Sequence, residues 1–283
     1  PLIFYNNLIN TFAKEKYSYE YNGEISFQGG SYSLLDKPDY YAGMRIIPFF
    51  AGKANLENLS YLQANFALNG FSSYREQWDN ELEIYRFSIS YQGLQTEAKF
   101  GLQKITFGPA RYLRPLMWFD RINPTDPMQI TKGVYGGLLR YYTMNNSNIW
   151  FWGLYGNEGL KGVEAKKSDP KAPEFGGRFQ LQLTKGEIAA TYHTRELKNE
   201  VYDREQRLAL DGYFDLGIGL WFESVISLID NDINRIMATV GTDYTFGFGN
   251  GLNVVAEYMP IQESLDKAIN NPEEQLFALS FFF

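Results

Sequence analysis

Residues 17–27 read YSYEYNGEISF and alternate between two kinds of side chain. Tyr, Tyr, Tyr, Gly, Ile and Phe occupy one set of positions, and Ser, Glu, Asn, Glu and Ser the other. Because successive side chains of a β-strand point to opposite faces, this pattern predicts a strand with one apolar and one polar face. Strands of soluble proteins average about five or six residues, whereas about 9–11 are needed to cross a bilayer at a barrel tilt. The stretch therefore favours a membrane-spanning strand.

Comparable strand-like segments, separated by turn-forming residues, follow along the chain. They are residues 40–52, 59–70, 82–91, 94–108, 133–143, 147–156, 175–184, 187–195, 206–215, 218–228, 235–248, 252–261 and 274–283. We therefore predict an all-β fold, a transmembrane antiparallel up-and-down β-barrel of about 14 strands, with about 12 or 16 as alternatives. The predicted barrel is a single domain of residues 15–283, preceded by a periplasmic N-terminal segment of residues 1–14. We expect that any export signal lies before this numbering.

The predicted connections alternate between short and long. Short turns are expected at residues 53–58, 92–93, 144–146, 185–186, 216–217 and 249–251. Connections that are mostly longer are expected at residues 29–39, 71–81, 109–132, 157–174, 196–205, 229–234 and 262–273. Short turns on one rim and long loops on the other are typical of outer-membrane barrels, and they predict that both termini are periplasmic.

Aromatic residues cluster at the predicted strand ends. One group is Tyr17, Tyr19, Tyr91, Tyr141, Tyr244, Phe246, Phe281 and Phe283, and the other is Phe27, Tyr40, Phe107, Tyr135, Tyr155 and Phe175. Two such belts are typical of a barrel at the two headgroup levels of a membrane.

Composition narrows the classes of function. No run approaches 18 apolar residues, which excludes a transmembrane helix. The chain has no cysteine, so disulfides, thiolate metal sites and cysteine catalysis are excluded. The net charge of −7, with scattered basic residues, gives no basic footprint, and we expect no nucleic-acid partner.

Two further stretches carry a family resemblance. Residues 274–283, EQLFALSFFF, resemble the terminal strand that the assembly machinery of Gram-negative outer-membrane β-barrel proteins reads. FGLQKITFG at residues 100–108, followed by a long connection containing DRINPTDP, is similar in layout to porin-like barrels, where such a segment leads into an extracellular or inward-folded loop. The resemblance implies the outer membrane of a Gram-negative bacterium, with its lipid and, during biogenesis, the barrel-assembly machinery as partners.

The polar faces of the strands are expected to line the interior of the barrel. The candidate pore-lining residues are Arg45, Arg86, Glu97, Lys99, Arg140, Arg178, Arg195, Arg207, Asp211, Glu223, Arg235, Asp243 and Glu257. Both signs of charge are interleaved, so neighbouring strands partly neutralise each other. About eight strands enclose an interior filled by side chains and about 16–18 a water channel, so an intermediate number predicts a narrow hydrated pore.

The connection at residues 109–132 is the longest of the predicted loops, and loops of this length are usually functional or disordered. Its candidate residues are Arg111, Arg114, Asp120, Arg121 and Asp126. The loop is interpreted either as a constriction or lid folded into the lumen, or as a surface loop packed over the rim.

No arrangement of residues predicts catalysis. The sole histidine, His193, is interpreted as a hydrogen-bonded wall residue. Asp211 and Asp215 share one face of a strand but lie roughly 13 Å apart, too far for a glycosidase pair. The acids around Asp230 and Asp232 lack the spacing of an EF-hand loop. We therefore expect no enzyme activity, no metal site and no cofactor.

The favoured function is an outer-membrane channel for passive diffusion of small polar solutes. The alternative is a structural barrel, an anchor or sheath in a multi-protein outer-membrane assembly. A protein partner or a homo-oligomer is compatible with either. A soluble β-sandwich is the third possibility.

Overall fold

A computed structural model describes residues 3–4, 12–14, 16–33, 38–57, 59–74, 77–122, 130–198, 204–263 and 274–282. Its strands are β1 (Ile3–Phe4), β2 (Phe12–Lys14), β3 (Tyr17–Ser33), β4 (Pro38–Asn55), β5 (Tyr61–Tyr74), β6 (Trp78–Gln92), β7 (Thr96–Gln103), β8 (Arg121–Ile122), β9 (Thr131–Lys132), β10 (Val134–Tyr142), β11 (Asn148–Leu154), β12 (Glu174–Leu183), β13 (Gly186–Glu196), β14 (Arg204–Asp215), β15 (Gly219–Ile229), β16 (Asp232–Phe246), β17 (Leu252–Glu263) and β18 (Glu274–Phe282). Within these described ranges, no helix has the length and apolar character needed to cross a membrane.

The chain forms two compact units. The first comprises Pro1–Gln103 and Ile122–Gly133, and the second comprises Lys104–Arg121 and Val134–Phe283. In the first unit, β3 to β7 pair antiparallel in chain order, and the short strands β1 and β2 both pair with β3. In the second unit, β10 to β18 also pair antiparallel in chain order. Each unit is therefore an up-and-down sheet.

The predicted strand pattern is confirmed, since the described residues contain fourteen strands of seven residues or more, at the expected places. The predicted contrast in loop length is only partly right. The strands β3 and β4 pair from Tyr17↔Ala54 to Ser33↔Pro38, so that connection is residues 34–37 only. The connection between β5 and β6 is likewise residues 75–77.

The β15–β16 connection is a two-residue turn rather than a longer loop. Asp230 and Asn231 both have positive φ angles, of 49° and 73°. Positive φ at both central residues is the requirement of a type I′ turn, whose twist matches that of the flanking strands. The pairing of Ile229 with Asp232 follows directly.

The two faces of the strands differ in exposure as the alternation predicts. Large apolar side chains such as Phe87, Phe100 and Phe277 are 54%, 64% and 76% exposed. The opposite, polar face carries buried polar and charged groups, among them Ser26, Arg45 and Ser88 in the first unit. In water this distribution would be unfavourable, because burial of apolar area drives folding there. Exposed apolar side chains with buried polar ones are the arrangement that a lipid environment stabilises.

The segment expected to be one strand from residue 94 to 108 ends earlier, at Gln103. Gly101 has a φ of 115°, and a Cβ atom at this position would collide with the carbonyl oxygen of Phe87, so only glycine fits. The placement of Phe107 in an aromatic belt is therefore wrong, because that side chain is buried. Of the other residues assigned to the belts, the described side chains are exposed; Tyr40 and Phe283 have no described side chain.

Candidate functional site

Residues 104–120, named here the inner loop, leave β7 and pack against the polar face of the second unit. Their apolar side chains form one buried cluster with residues of the strands. The cluster comprises Ile105, Phe107, Leu116, Trp118 and Phe119 of the inner loop and Val134, Leu138, Trp152, Leu154, Ala209, Val225 and Met237 of the strands. The ring of Phe107 stacks on Trp152 with centroids 5.7 Å apart, and Trp118 meets Phe107 edge-on at 5.5 Å. Burying these rings stabilises the packing of the loop against the strands of the second unit.

The carboxylate of Glu223, on β15, binds two points of the inner loop. Its Oε1 accepts the backbone N–H of Ala110 at 2.8 Å, and its Oε2 accepts that of Leu116 at 3.0 Å. Glu223 is completely buried. One side chain thus closes the turn of the loop between these two residues.

Glu257, on β17, binds the residues between those two points. Its Oε1 accepts the backbone N–H of Arg111 at 2.7 Å and the indole N–H of Trp221 at 2.9 Å. Its Oε2 accepts the backbone N–H groups of Tyr112 and Leu113 at 3.0 and 2.7 Å. Successive N–H groups that converge on one anion form a concave binding site, here filled by a side chain of the same protein.

A hydroxyl group completes this attachment. Thr239 of β16 is fully buried and donates to the carbonyl oxygen of Leu113 at 2.7 Å. Both polar groups of the Leu113 backbone are therefore bonded to the sheet. Hydrogen bonds to charged acceptors are stronger than those between neutral groups, so Glu223 and Glu257 contribute most of the polar attachment.

The basic side chains of the inner loop are more exposed than its acidic one. Lys104 and Arg111 are exposed and Arg114 is half-buried, whereas Asp120 is 2% exposed. The ammonium of Lys104 lies 3.8 Å from the Asp120 carboxylate. Arg111 forms an ion pair with Asp243 of β16, and its guanidinium lies 5.1 Å from the ring centroid of Trp221.

A second loop, residues 155–173 between β11 and β12, covers another part of the same polar face. Lys161 binds Glu174 at 2.8 Å and Ser168 at 2.6 Å, and lies 3.5 Å from Glu164. Glu164 in turn forms an ion pair with Arg195, whose Nη1 lies 3.0 Å from the Glu164 Oε2 atom. These groups are buried, so each charge requires a partner of opposite sign.

The network continues into β14 through Glu205 and Arg207. Glu205 accepts from Arg195 at 2.6 Å, from Arg207 at 2.8 Å and from Ser227 at 2.7 Å. Arg207 also lies 3.3 Å from Glu164. The buried network contains three basic side chains (Lys161, Arg195, Arg207) and three acidic ones (Glu164, Glu174, Glu205), so its formal charges balance.

His193 is held inside this network. The indole N–H of Trp152 donates to His193 Nδ1 at 3.2 Å, and His193 Nε2 lies 3.2 Å from Glu174. Because Nδ1 accepts a hydrogen bond, the proton of the neutral ring is on Nε2, which donates to Glu174. Both ring nitrogens of His193 are therefore hydrogen-bonded, as its interpretation from the sequence requires.

The two loops are bonded to each other. The backbone N–H of Val163 donates to the carbonyl oxygen of Met117 at 3.0 Å. Gly162 has a φ of 42°, and a Cβ atom there would collide with the same carbonyl oxygen. A glycine is therefore required where the second loop passes the inner loop.

Six of the predicted pore-lining residues lie in the second unit and are buried. Arg178, Arg195, Arg207, Asp211, Glu223 and Glu257 are buried beneath or beside the loops. Arg178 and Asp211 form a two-pronged pair, with distances of 2.6 and 2.7 Å. Such fork-to-fork pairs are the strongest arginine–carboxylate contacts.

The other predicted residues are dispersed. In the first unit Arg45 is buried, Arg86 donates to the carbonyl oxygen and hydroxyl of Thr131, and Glu97 and Lys99 are half-buried on β7. In the second unit Arg140 stacks on Trp150 at 3.8 Å, and Arg235 pairs with Glu263. Asp126 lies outside the described residues, and Arg121 is exposed at the end of the inner loop.

Sequence reasoning missed the second loop as a site. Lys161, Glu164, Glu174 and Glu205 were not among the candidates. A signal was available in Lys161-Gly162-Val163-Glu164, where opposite charges flank a glycine within a loop that joins two predicted strands. Within the part of the chain that the structure describes, no group of three or more His, Cys, Asp or Glu side chains could hold a metal ion.

Comparison with known proteins places the fold. No protein-family model matches the chain, and no curated protein sequence does so. The structure is similar to OmpF of Salmonella typhi, solved in complex with daunomycin, with a TM-score of 0.58, 11% identity, and coverage of 97% of this chain and 88% of that one. OccK7 (OpdD) of Pseudomonas aeruginosa matches with a TM-score of 0.41, 12% identity, and coverage of 95% and 88%. The similarity to OmpF shows a porin-like, all-β antiparallel fold for this chain.

Proposed function

We propose that this chain is an outer-membrane channel through which small polar solutes diffuse passively, and that the inner loop is its constriction. The observation that carries the proposal is the attachment of the loop by Glu223 and Glu257. Together the two carboxylates accept five backbone N–H groups, from Ala110, Arg111, Tyr112, Leu113 and Leu116. A loop held in this way on the polar face can set the width of a pore, as a loop packed over the rim could not.

The porin-like fold supports the location in the outer membrane of a Gram-negative bacterium, with lipid against the apolar faces. The proposal includes periplasmic termini and passage through the barrel-assembly machinery. It includes no enzyme activity, because the buried His193 and its neighbours are occupied in a network of ion pairs and hydrogen bonds.

A structural barrel is the second candidate, and one observation favours it. Both loops cover the polar face of the second unit, with an aromatic cluster and a charge-balanced network beneath them. Such packing suits an interior that is filled, and hence an anchor or sheath whose function is to hold a partner protein or a second copy.

Conductance in planar bilayers, with swelling of solute-loaded liposomes, separates the two candidates. A channel gives stepwise currents and swelling, whereas the absence of both would favour the structural barrel. Tyr112 tests the constriction, because its side chain is exposed on the inner loop. We expect Tyr112→Gly to raise single-channel conductance and Tyr112→Trp to lower it. Tyr141→Gly, on a strand residue that is equally exposed but assigned to the lipid belt, is the matched control and should leave conductance unchanged.

A further inference from the structure

We propose that the constriction selects anions, and that the preferred solutes are small molecules carrying a carboxylate or phosphate group. This inference rests on the proposed channel function and deepens it by naming the class of solute. Its basis is the sorting of charges on the inner loop, which runs against the net charge of −7 of the whole chain.

The inner loop and its end present basic groups to solvent. Lys104, Arg111 and Arg121 are exposed and Arg114 is half-buried. The acidic side chain of the loop, Asp120, is 2% exposed. A solute that passes the loop therefore contacts ammonium and guanidinium groups before any carboxylate of the loop.

The acids nearest to the loop are turned away from a passing solute. Glu223 and Glu257 are 0% and 3% exposed, and their oxygens are occupied by N–H groups of the loop and of Trp221. Asp243 is the most exposed of these acids, with 16% of its side chain accessible, and it is paired with Arg111.

Arg114 is placed differently from Arg111. Its Nη2 donates to the hydroxyl of Thr106 at 3.0 Å and to the carbonyl oxygen of Phe107 at 3.4 Å, which are uncharged acceptors. These bonds orient the guanidinium without neutralising it. Because both hydrogens of Nη2 are bonded within the loop, the Nη1 group of Arg114 is left to donate to a carboxylate or phosphate oxygen of a solute.

The charges of the loop and its end balance those of the loop's own acid and of the acids bonded to it: Lys104, Arg111, Arg114 and Arg121 against Asp120, Asp243, Glu223 and Glu257. Selectivity then depends on which sign the solute meets at close range. Exposed charges are screened over about 8 Å at physiological ionic strength, so the groups in contact with the solute dominate.

The reversal potential under a KCl gradient tests the inference on the purified full chain in planar bilayers. We expect a reversal potential whose sign shows that chloride is more permeant than potassium. The double variant Arg111→Gln/Arg114→Gln removes two of these positive charges. Its reversal potential should shift toward zero or take the sign of a potassium-selective channel. Arg111→Lys, which keeps the charge, should keep the sign. Lys185→Gln removes an exposed charge from the β12–β13 turn as a matched control and should leave the potential unchanged.

The identity of the solute is tested by adding acetate or inorganic phosphate at constant ionic strength. Reduced chloride current in the wild type, and not in the double variant, supports recognition of these groups. A conducting channel that prefers potassium, or whose preference is unaffected by the double variant, overturns the inference and leaves the channel function intact. Absence of any current removes the proposed function, and this inference with it.

Discussion

Glu257 Oε2 accepts the backbone N–H of Leu113 at 2.7 Å, although the two residues are 144 positions apart in the chain. The contact joins strand β17 to the inner loop, and Trp221 of β15 donates to the other oxygen of the same carboxylate. A single buried side chain thus links two strands and a loop by hydrogen bonds. The position of the loop consequently depends on groups that lie far from it in sequence.

The variant Glu257→Gln should loosen the inner loop. An amide keeps one acceptor oxygen but places an NH₂ group opposite N–H donors, so at least one donor loses its partner. An unsatisfied buried donor costs about 1–3 kcal/mol. We expect a loss of that size in urea unfolding of the folded barrel, together with noisier single-channel currents. Glu187→Gln is the control, because Glu187 is half-buried and bonds Gln180 rather than a loop. Equal stability of Glu257→Gln and the wild type would contradict the attachment of the inner loop by Glu257.

The variant Gly162→Ala should separate the two loops. A Cβ atom collides with the carbonyl oxygen of Met117 and is also strained by the positive φ of this residue. We expect faster proteolytic cleavage within residues 157–173 and a lower free energy of unfolding by about 1–3 kcal/mol. Gly159→Ala is the matched control in the same loop, since nothing lies within 4 Å of an added Cβ there. Identical cleavage of both variants would show that the loops are not held by this contact.

The strands could be predicted because the alternation of apolar and polar residues repeats along the chain. Tyr17, Tyr19 and Tyr21 alternate with polar residues, and each is exposed in the structure. The period of two depends only on backbone geometry, so it is visible in the sequence. The ends of the strands were less visible, because residues such as Gly30 and Ser31 extend a hairpin without contributing apolar side chains.

The placement of the inner loop could not be predicted in the same way. Its position depends on long-range contacts of Glu223 and Glu257, which in the sequence are indistinguishable from other acids of the polar face. Phe107 lies near the end of the predicted strand at residues 94–108, which is the reason for its assignment to a belt, but its position falls on the polar face with Gln103, and it stacks on Trp152. The balance of ion pairs around Glu164 also requires residues from three separate segments. Such contacts are set by packing rather than by local pattern.

Arg140 and Arg86, two predicted pore-lining residues, should respond differently to charge reversal. Arg140 stacks on Trp150, and Arg140→Glu should shift ion selectivity toward cations with a small effect on folding. Arg86 donates to the carbonyl oxygen and hydroxyl of Thr131, so Arg86→Glu should also cost about 1–3 kcal/mol of stability. Reversal potentials and urea unfolding measure the two effects. An unchanged selectivity in both variants would mean that neither side chain lines the conducting path.

Phe87 and Phe100 test the assignment of the exposed apolar face to lipid. Their side chains are 54% and 64% exposed. Such exposure of apolar rings is favourable only in an apolar environment. Arginine at the bilayer midplane of a barrel costs about 2–4 kcal/mol, and the cost falls toward the interfaces. We expect Phe87→Arg and Phe100→Arg to reduce the free energy of folding into phospholipid vesicles by an amount in this range. Ser90→Arg, on the polar face of the same strand as Phe87, should have a smaller effect, since its side chain lies on the opposite side. If Phe87→Arg and Ser90→Arg were equally tolerated, the facing of β6 would be wrong.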